Sequence, residues 1–348
     1  MCELLGMSFN QPVRPNISFK GFQRRGKRNP DGWGIAFYPD NAAQIFKEPL
    51  KATESALANF IKDYSEIKSK LFIAHVRRGS SCGLCYKNTH PFSRELNGKE
   101  YIFAHNGTLK NFEKLPSGRF HKIGCTDSEH AFCYILSCIE EKSITHWNDE
   151  RFEWLGEKLK KINELGTFNC IFSDGEYLFC YHDKTEYNGL WFVHRKAPYG
   201  KIQLLDEDFE INLAEEKDPT QKGFVIATKP LTNEKWEKFN PCELIVFKNG
   251  EIVFPNYRKY EKSSHISLYQ KELNILKILR QNPHRMSLKE ICQNLSLPKE
   301  EIIETIRSLK CKELIKQDSR DKVKWDNDDA TYYTNPSKRK EIDELIGK

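Results

Sequence analysis

Short runs of apolar residues recur through the first 260 residues and limit the folds that this chain can adopt. In most of these runs the apolar residues follow one another directly, whereas a strand with one face in water alternates apolar and polar residues. The runs therefore predict strands in sheets that are covered on both faces. They lie at residues 33–38, 71–76, 101–105, 168–172, 177–181, 190–193, 223–227 and 244–247.

Helical periodicity between some of these runs indicates what covers the sheets. Apolar residues recur at helical spacing over residues 53–64, 127–141 and 150–165. Because a sheet must bury its faces against another layer, we expect a layered fold with helices outside and strands inside.

The composition changes after a polar segment at residues 257–264. Beyond it the chain is rich in helical patterns and then has two strand-like runs around a charged loop. Three short helices followed by a hairpin are typical of a winged helix-turn-helix. The predicted helices are residues 269–281, 288–295 and 299–310, and the predicted strands are 314–317 and 330–333.

Cys2 directly follows the initiator methionine, and its small side chain favours removal of Met1. Cys2 would then carry a free α-amino group, whose ordinary pKa is about 7.7–8.0, beside a thiol of about 8.5. The amine can accept the thiol proton, so nucleophile and base belong to one residue. Taken alone, a cysteine at this position is also expected by chance in some proteins.

Three downstream segments each supply something that hydrolysis of a glutamine side-chain amide requires. Arg77, at the end of a buried strand, can pair with the substrate α-carboxylate. Asp127, at the start of a helix, can bind the α-ammonium group. Asn106 and Gly107, at the end of a strand, can donate a side-chain and a backbone N–H to the oxyanion.

Each of these segments also has an ordinary structural interpretation. Asn106-Gly107 is a common hairpin turn, residues 126–129 form a helix cap, and Arg77 could be a solvated strand end. The catalytic interpretation depends on their occurring together behind a cysteine at position 2.

In this order the motifs resemble the class II glutamine amidotransferases, most closely the stand-alone YafJ-type branch. The resemblance covers roughly residues 2–255, with one departure at residues 78–81, where a small residue and Thr or Ser are usual. The matching segments are residues 1–6, 31–36, 75–77, 88–92, 105–107, 126–129 and 227–231.

The resemblance implies an α+β fold, a four-layer αββα N-terminal-nucleophile sandwich, at residues 2–262, and the helix and strand pattern beyond it predicts a winged-helix-like domain at 263–340. The resemblance also implies Cys2 as nucleophile with its α-amine as base, and we expect no metal or cofactor. The other residues it assigns are Asn106 and Gly107 to the oxyanion hole, and Arg77, Asp127, His75 and His105 to substrate binding.

Other cysteine chemistry is less favoured. Cys82 and Cys85 have the spacing of half a zinc site, with His90 nearby, but no second such pair exists in the sequence. A Cys–His pair that uses Cys82 or Cys125 is a further alternative. A loop with two incidental thiols is the simpler interpretation.

The sequence also predicts a location. No run approaches the roughly 18 apolar residues that span a bilayer, and the first residues lack the basic region of a secretory signal. We therefore expect a cytoplasmic protein with no membrane association, whose eleven cysteines are free thiols. A net charge of +6 does not by itself indicate nucleic acid.

Two functions remain open. In the first, Cys2 attacks the γ-amide of glutamine or a γ-glutamyl compound and releases ammonia or an amine through a γ-glutamyl thioester. In the second, the chain is a glutamine-sensing regulator whose winged helix binds DNA or a protein partner.

The charge of the C-terminal segment bears on its partner. Residues 263–348 carry 17 Lys/Arg and 14 Asp/Glu, a balance that favours docking of a protein, such as an ammonia acceptor, over DNA. The family resemblance also suggests a homodimer.

Overall fold

The computed structural model describes residues 2–79, 82–206, 209–255, 270–282, 284–295, 297–312, 314–318 and 326–346. The chain divides into two compact units, Met1–Pro255 and Asn256–Lys348. The polar segment at 257–264 lies outside the described residues. The domain limits 2–262 and 263–340 therefore stay predictions.

Antiparallel strands build the two large sheets of the first unit. Within the described residues, seven strands form one sheet in the order β13-β9-β12-β1-β4-β2-β3, and six form a second in the order β15-β14-β8-β7-β6-β5. In chain order the strands are β1 (Glu3–Val13), β2 (Trp33–Phe37), β3 (Gln44–Glu48), β4 (Ser69–Val76), β5 (Phe92–Leu96), β6 (Lys99–Leu109), β7 (Gly166–Ser173), β8 (Leu178–Tyr181), β9 (Trp191–Arg195), β10 (Lys201–Gln203), β11 (Glu210–Asn212), β12 (Gly223–Ala227), β13 (Glu237–Lys238), β14 (Leu244–Lys248) and β15 (Glu251–Phe254).

Helices cover the outer face of each sheet. Phe22 of the first helix and Ile61 of the second pack on the first sheet, whereas Phe132 and Leu159 of the third and fourth pack on the second sheet. This is the predicted αββα sandwich, which is confirmed. The helices of this unit are α1 (Asn16–Arg24), α2 (Ala56–Asp63), α3 (Asp127–Glu141), α4 (Asp149–Asn163) and α5 (Leu213–Glu216).

The central layer explains why successive residues in the strands are apolar. Leu4 of β1 packs with Ile171 of β7 in the space between the two sheets. Leu5, the next residue, points to the opposite face and joins the cluster beneath α1 and α2. Both faces of β1 are buried, so neither position tolerates a solvated side chain.

The second unit packs helices around a small antiparallel sheet. Its sheet has the order β16-β18-β17, and Leu276, Ile291, Ile306 and Tyr332 are buried in its core. Residues 319–325 of the predicted loop lie outside the described residues, and the winged helix stays a prediction. The elements are α6 (Gln270–Gln281), β16 (Met286–Ser287), α7 (Leu288–Leu295), α8 (Lys299–Cys311), β17 (Ile315–Gln317), β18 (Thr331–Thr334) and α9 (Arg339–Leu345).

None of the helices in the described part of the chain has the length and apolar content that crossing a bilayer requires.

Candidate active site

Cys2 immediately precedes the central strand β1, and neighbouring backbone fixes its thiol. The Sγ atom accepts a hydrogen bond from the Arg78 amide at 3.1 Å, and the Cys2 carbonyl accepts one from Asn188 Nδ2 at 2.9 Å. Burial raises the pKa of the Cys2 thiol, while the Arg78 amide and the Arg77 charge oppose that rise. A thiol with a raised pKa needs a base to become a nucleophile at neutral pH.

A buried ion pair anchors the strand that carries Cys2. Arg25 Nη1 lies 2.7 Å from Glu3 Oε2, and both side chains are 8% exposed. Arg25 also donates to the carbonyls of Lys229 and Pro230. The predicted motif at residues 227–231 therefore holds the start of β1 in place, but sequence reasoning missed Arg25.

Arg77 follows β4 and lies beside Cys2, because the register of β1 with β4 pairs Glu3 with Val76. Arg77 is only 5% exposed, so its interpretation as a solvated strand end is wrong. The guanidinium donates to the carbonyls of Cys82 at 3.0 Å and Asp31 at 3.4 Å. Among the described residues it has no carboxylate partner, which leaves its charge available to a substrate carboxylate.

The segment after Arg77 is shaped by Asp31 and Gly79. Asp31 Oδ2 accepts the Gly79 amide at 2.7 Å. A Cβ atom at residue 79 would lie 3.0–3.2 Å from the Arg77 guanidinium, so a side chain there would crowd that group. Residues 80 and 81, part of the departure from the family pattern, lie outside the described residues.

Asn106 and Gly107 lie within β6, paired with Asn169 and Phe168 of β7, so the hairpin-turn interpretation is wrong. Asn106 is 1% exposed, and its Nδ2 has no hydrogen-bond partner among the described residues. A Cβ atom on residue 107 would lie 2.0 Å from the Thr167 carbonyl oxygen, which requires glycine. A buried amide donor without an acceptor is unusual in proteins and suits a transient oxyanion.

Asp127 is the first residue of α3 and joins that helix to the end of β6. Its Oδ2 accepts the Leu109 amide at 2.7 Å, and its Oδ1 accepts the Ser128 amide at 2.9 Å. The Thr126 side chain accepts the Glu129 amide at 3.1 Å, so the predicted helix cap is confirmed. Within the described ranges no basic side chain forms an ion pair with Asp127, although its oxygens already accept two amides.

His105 is buried between β6, β7 and α3, and burial lowers its pKa. Its Nε2 lies 3.3 Å from the Thr167 carbonyl and its Nδ1 lies 2.8 Å from Ser128 Oγ. A carbonyl only accepts, so we place the proton on Nε2, and Ser128 donates to Nδ1.

His75 is also buried, and its ring packs against that of His90 with 4.2 Å between centroids. Burial, aided by His105 and Arg77, lowers the pKa of His75 to about 3, so this ring is neutral. Both predicted substrate-binding histidines thus contact protein groups, and their roles stay predictions.

Asn188 is a site residue that sequence reasoning missed. It has a left-handed backbone with φ of 58°, and it binds the Cys2 carbonyl through Nδ2. The preceding residue, Tyr187, accepts Asn169 Nδ2 at 2.6 Å, and Asn169 pairs with Asn106. This chain of contacts connects Cys2 with the predicted oxyanion hole. The only sequence signal was the Asn188-Gly189 dipeptide, an ordinary turn pattern.

The loop that carries Asn188 is fixed by one carboxylate. Asp183 Oδ2 accepts the Phe168 amide at 2.7 Å and Asn163 Nδ2 at 2.6 Å, while its Oδ1 accepts the Thr185 amide and hydroxyl. These bonds lower the pKa of Asp183 against the effect of its burial. The carboxylate therefore stays ionised and keeps the loop against β7.

A disulfide joins Cys82 to Cys125, so the expectation that all cysteines are free thiols is wrong for this pair. The bond links the loop that holds Arg77 to the residue before the Thr126 cap of α3. Neither sulfur can therefore serve as a thiol nucleophile or zinc ligand in this structure. In the described ranges no group of three or more His, Cys, Asp or Glu side chains is arranged to hold a metal ion.

Reducing this disulfide is expected to lower the free energy of unfolding by about 2–4 kcal/mol, because it closes a long loop in the unfolded chain. The measurement is denaturant unfolding with and without a phosphine reductant. A Cys82→Ser variant should be insensitive to the reductant. An unchanged wild-type midpoint, with both thiols shown to be free, would contradict the prediction.

Comparisons with known proteins show what this chain is similar to. A family model described as glutamine amidotransferases class-II matches residues 1–271. An uncharacterized protein of Methanocaldococcus jannaschii is 50% identical, over 99% of this chain and 96% of that protein. The provisionally named glutamine amidotransferase YafJ of Escherichia coli is 40% identical, over 73% of this chain and all of that protein.

A solved structure is similar as well. The crystal structure of a predicted glutamine amidotransferase from Pseudomonas aeruginosa aligns with a TM-score of 0.55 and 31% identity, covering 73% of this chain and all of that chain.

Proposed function

This chain belongs to the class II glutamine amidotransferases, and on that premise we propose that it hydrolyses the side-chain amide of glutamine or a γ-glutamyl compound with Cys2 as nucleophile. The observation that carries the proposal is the position of Cys2 next to Arg77. The two residues flank Glu3 and Val76, which pair across β1 and β4, and the Arg77 charge acts on the Cys2 thiol. A buried guanidinium without an acidic partner beside a thiol suits a substrate that carries a free carboxylate.

The reaction begins once Met1 has been removed. The Cys2 α-amine takes the thiol proton, and the thiolate attacks the γ-carbonyl carbon. Asn106 Nδ2 and the Gly107 amide stabilise the oxyanion that forms. The intermediate then expels ammonia or an amine, which leaves with a proton from the α-ammonium group. Water hydrolyses the resulting γ-glutamyl thioester and regenerates Cys2.

Arg77 and Asp127 define the part of the substrate that is recognised. They bind the α-carboxylate and the α-ammonium group, which glutamine and γ-glutamyl compounds share. The disulfide between Cys82 and Cys125 supports a joint role of Arg77 and Asp127, because it joins the loop after Arg77 to the segment just before α3. Selection between the two substrate types depends on what lies beyond the γ-amide.

Intact mass spectrometry with 6-diazo-5-oxonorleucine, an electrophilic glutamine analogue, tests the proposal. We expect loss of Met1 and one adduct, which maps to Cys2 and is prevented by excess glutamine or by a γ-glutamyl peptide. Cys85, Cys242 and Cys292 are half-buried free thiols, so iodoacetamide labelling provides the unselective comparison. A processed chain that takes no adduct, or an adduct that glutamine does not prevent, would contradict the proposal.

The second unit is best interpreted as a protein-docking winged helix. The order helix, strand, two helices and two strands supports that fold. Lys299, on the candidate recognition helix α8, pairs with Asp328 at 2.7 Å, and Lys310 of the same helix donates to Gln317. Cations that are already engaged contribute less to phosphate binding. A partner that accepts ammonia is therefore favoured over DNA, and a homodimer and a cytoplasmic location stay predictions.

A further inference from the structure

A cationic pocket lies at the end of β1 opposite to Cys2. Its volume is about 200 Å³, and its charged lining consists of Arg14, Lys68, Glu216 and Lys217. From Glu3 to Val13 the strand spans roughly 30 Å at 3.3 Å per residue, so this pocket is separate from the residues of the proposed reaction.

The charges of this pocket are not balanced. Three cations face one carboxylate, and none of the three forms an ion pair within the described residues. Burial lowers the pKa of Lys217 to about 8, and the nearby charges of Arg195 and Arg14 add to this effect, while Glu216 opposes it. Like charges gathered without counter-charges destabilise a fold unless an anion joins them.

Two buried polar atoms in the pocket lack partners. Arg14 Nε and Gln221 Oε1 are both buried and have no hydrogen-bond partner among the described residues. An arginine whose donors are unused suits a planar or tetrahedral oxyanion, which it can bind through two N–H groups. The amide oxygen of Gln221 can accept a bond from a hydroxyl group next to that anion.

From this arrangement we propose that the pocket binds the phosphate group of a small phosphorylated metabolite. Phosphate carries nearly two negative charges at neutral pH, which matches three cations and one carboxylate. A water molecule takes about 30 Å³ of liquid volume, so the pocket has room for a phosphate group and a few further atoms. Arg14 and Lys217 hold the phosphate oxygens, and Lys68 lies at the exposed rim.

The test is calorimetric titration of the full-length protein, at low ionic strength, with inorganic phosphate, glycerol 3-phosphate and uncharged glycerol. We expect saturable binding of one equivalent of each phosphate compound and none of glycerol. Tighter binding of the ester would identify a phosphorylated metabolite rather than free phosphate as the ligand. Absence of saturable binding by both would overturn the proposal.

Variants locate the site. Arg14→Gln and Lys217→Met should each weaken binding about tenfold or more, because each removes a charge-assisted hydrogen bond. Lys217→Met keeps an apolar stem against Phe9, over whose ring the lysine lies. Glu216→Gln should strengthen binding, since it removes the one carboxylate.

Lys70→Gln is the matched control, since it removes one exposed positive charge from nearby β4 without changing the pocket. Equal weakening by Lys70→Gln and Arg14→Gln would indicate a general charge effect and overturn the site. If Arg14→Gln fails to fold, Lys217→Met and Glu216→Gln decide. Unchanged binding in Lys217→Met, or weaker or unchanged binding in Glu216→Gln, then counts against the proposal. Repeating the titration with Cys2→Ala protein keeps the result independent of the proposed reaction.

Discussion

Cys2→Ala is expected to lower kcat for glutamine hydrolysis by roughly 10⁴-fold to 10⁶-fold, as removal of a covalent nucleophile does in other hydrolases. The fold should persist, because the hydrogen bonds of the thiol to described residues involve the Arg78 backbone alone, and the bond from Asn188 to the Cys2 carbonyl does not involve the thiol. Ammonia release measures the activity, and a thermal unfolding curve checks the fold.

Two further proteins separate the thiol from the amine. Cys85→Ala removes another half-buried free thiol and should leave activity unchanged. Inserting an alanine between Met1 and Cys2 keeps the thiol but moves the α-amine away, and it should be nearly as damaging as Cys2→Ala. Full activity in the insertion variant would show that another group is the base, and full activity in Cys2→Ala would refute the proposed reaction.

The pH dependence of this activity follows from the same residue. Because burial raises the pKa of the Cys2 thiol, few molecules carry a thiolate at neutral pH without help from the amine. The amine must be unprotonated to act as base, so kcat/KM should fall as pH drops below about 7.7–8.0.

Much of the sandwich could be predicted because its strands are buried on both faces. The runs at 223–227 and 244–247 correspond to β12 and β14, and the periodic segment at 127–141 is α3. In these segments the local sequence pattern favours the same secondary structure as the buried environment does. β1 was not predicted, although it is central, because Asn10, Gln11 and Pro12 interrupt its apolar pattern.

The missed parts of the site depend on contacts between distant segments. Asn188 reaches the Cys2 carbonyl across 186 positions, and the disulfide closes a separation of 43. Neither produces a local pattern. At Asn106-Gly107 the local pattern is present but misleading, because a dipeptide typical of turns lies inside a strand. Glycine is required there because the Thr167 carbonyl leaves no room for a side chain at residue 107. The local pattern of apolar residues predicts which segments are buried, but it does not predict which loops contact one another.

Asn106→Ala is expected to lower kcat by roughly 10²-fold to 10³-fold with little change in KM, because an oxyanion donor acts mainly in the transition state. Its effect on stability should be small. The Nδ2 group is buried without a partner, and losing a polar group that makes no hydrogen bond removes a desolvation cost of about 1–3 kcal/mol. That gain offsets the cavity left by truncation. Steady-state kinetics and denaturant unfolding on the same protein measure both quantities.

Asn169→Ala provides the matched control, because Asn169 pairs with Asn106 across β6 and β7, but both polar atoms of its side chain form hydrogen bonds. Its Oδ1 accepts the Asp183 amide at 2.9 Å and its Nδ2 donates to the Tyr187 carbonyl at 2.6 Å. Truncation there leaves those buried groups unpaired, so unfolding should become easier by about 2–3 kcal/mol. A catalytic Asn106 thus predicts a loss of kcat without a loss of stability, whereas a structural Asn169 predicts a loss of stability. If Asn106→Ala lost stability while kcat stayed near that of the wild type, Asn106 would be a packing residue and the oxyanion would need another donor.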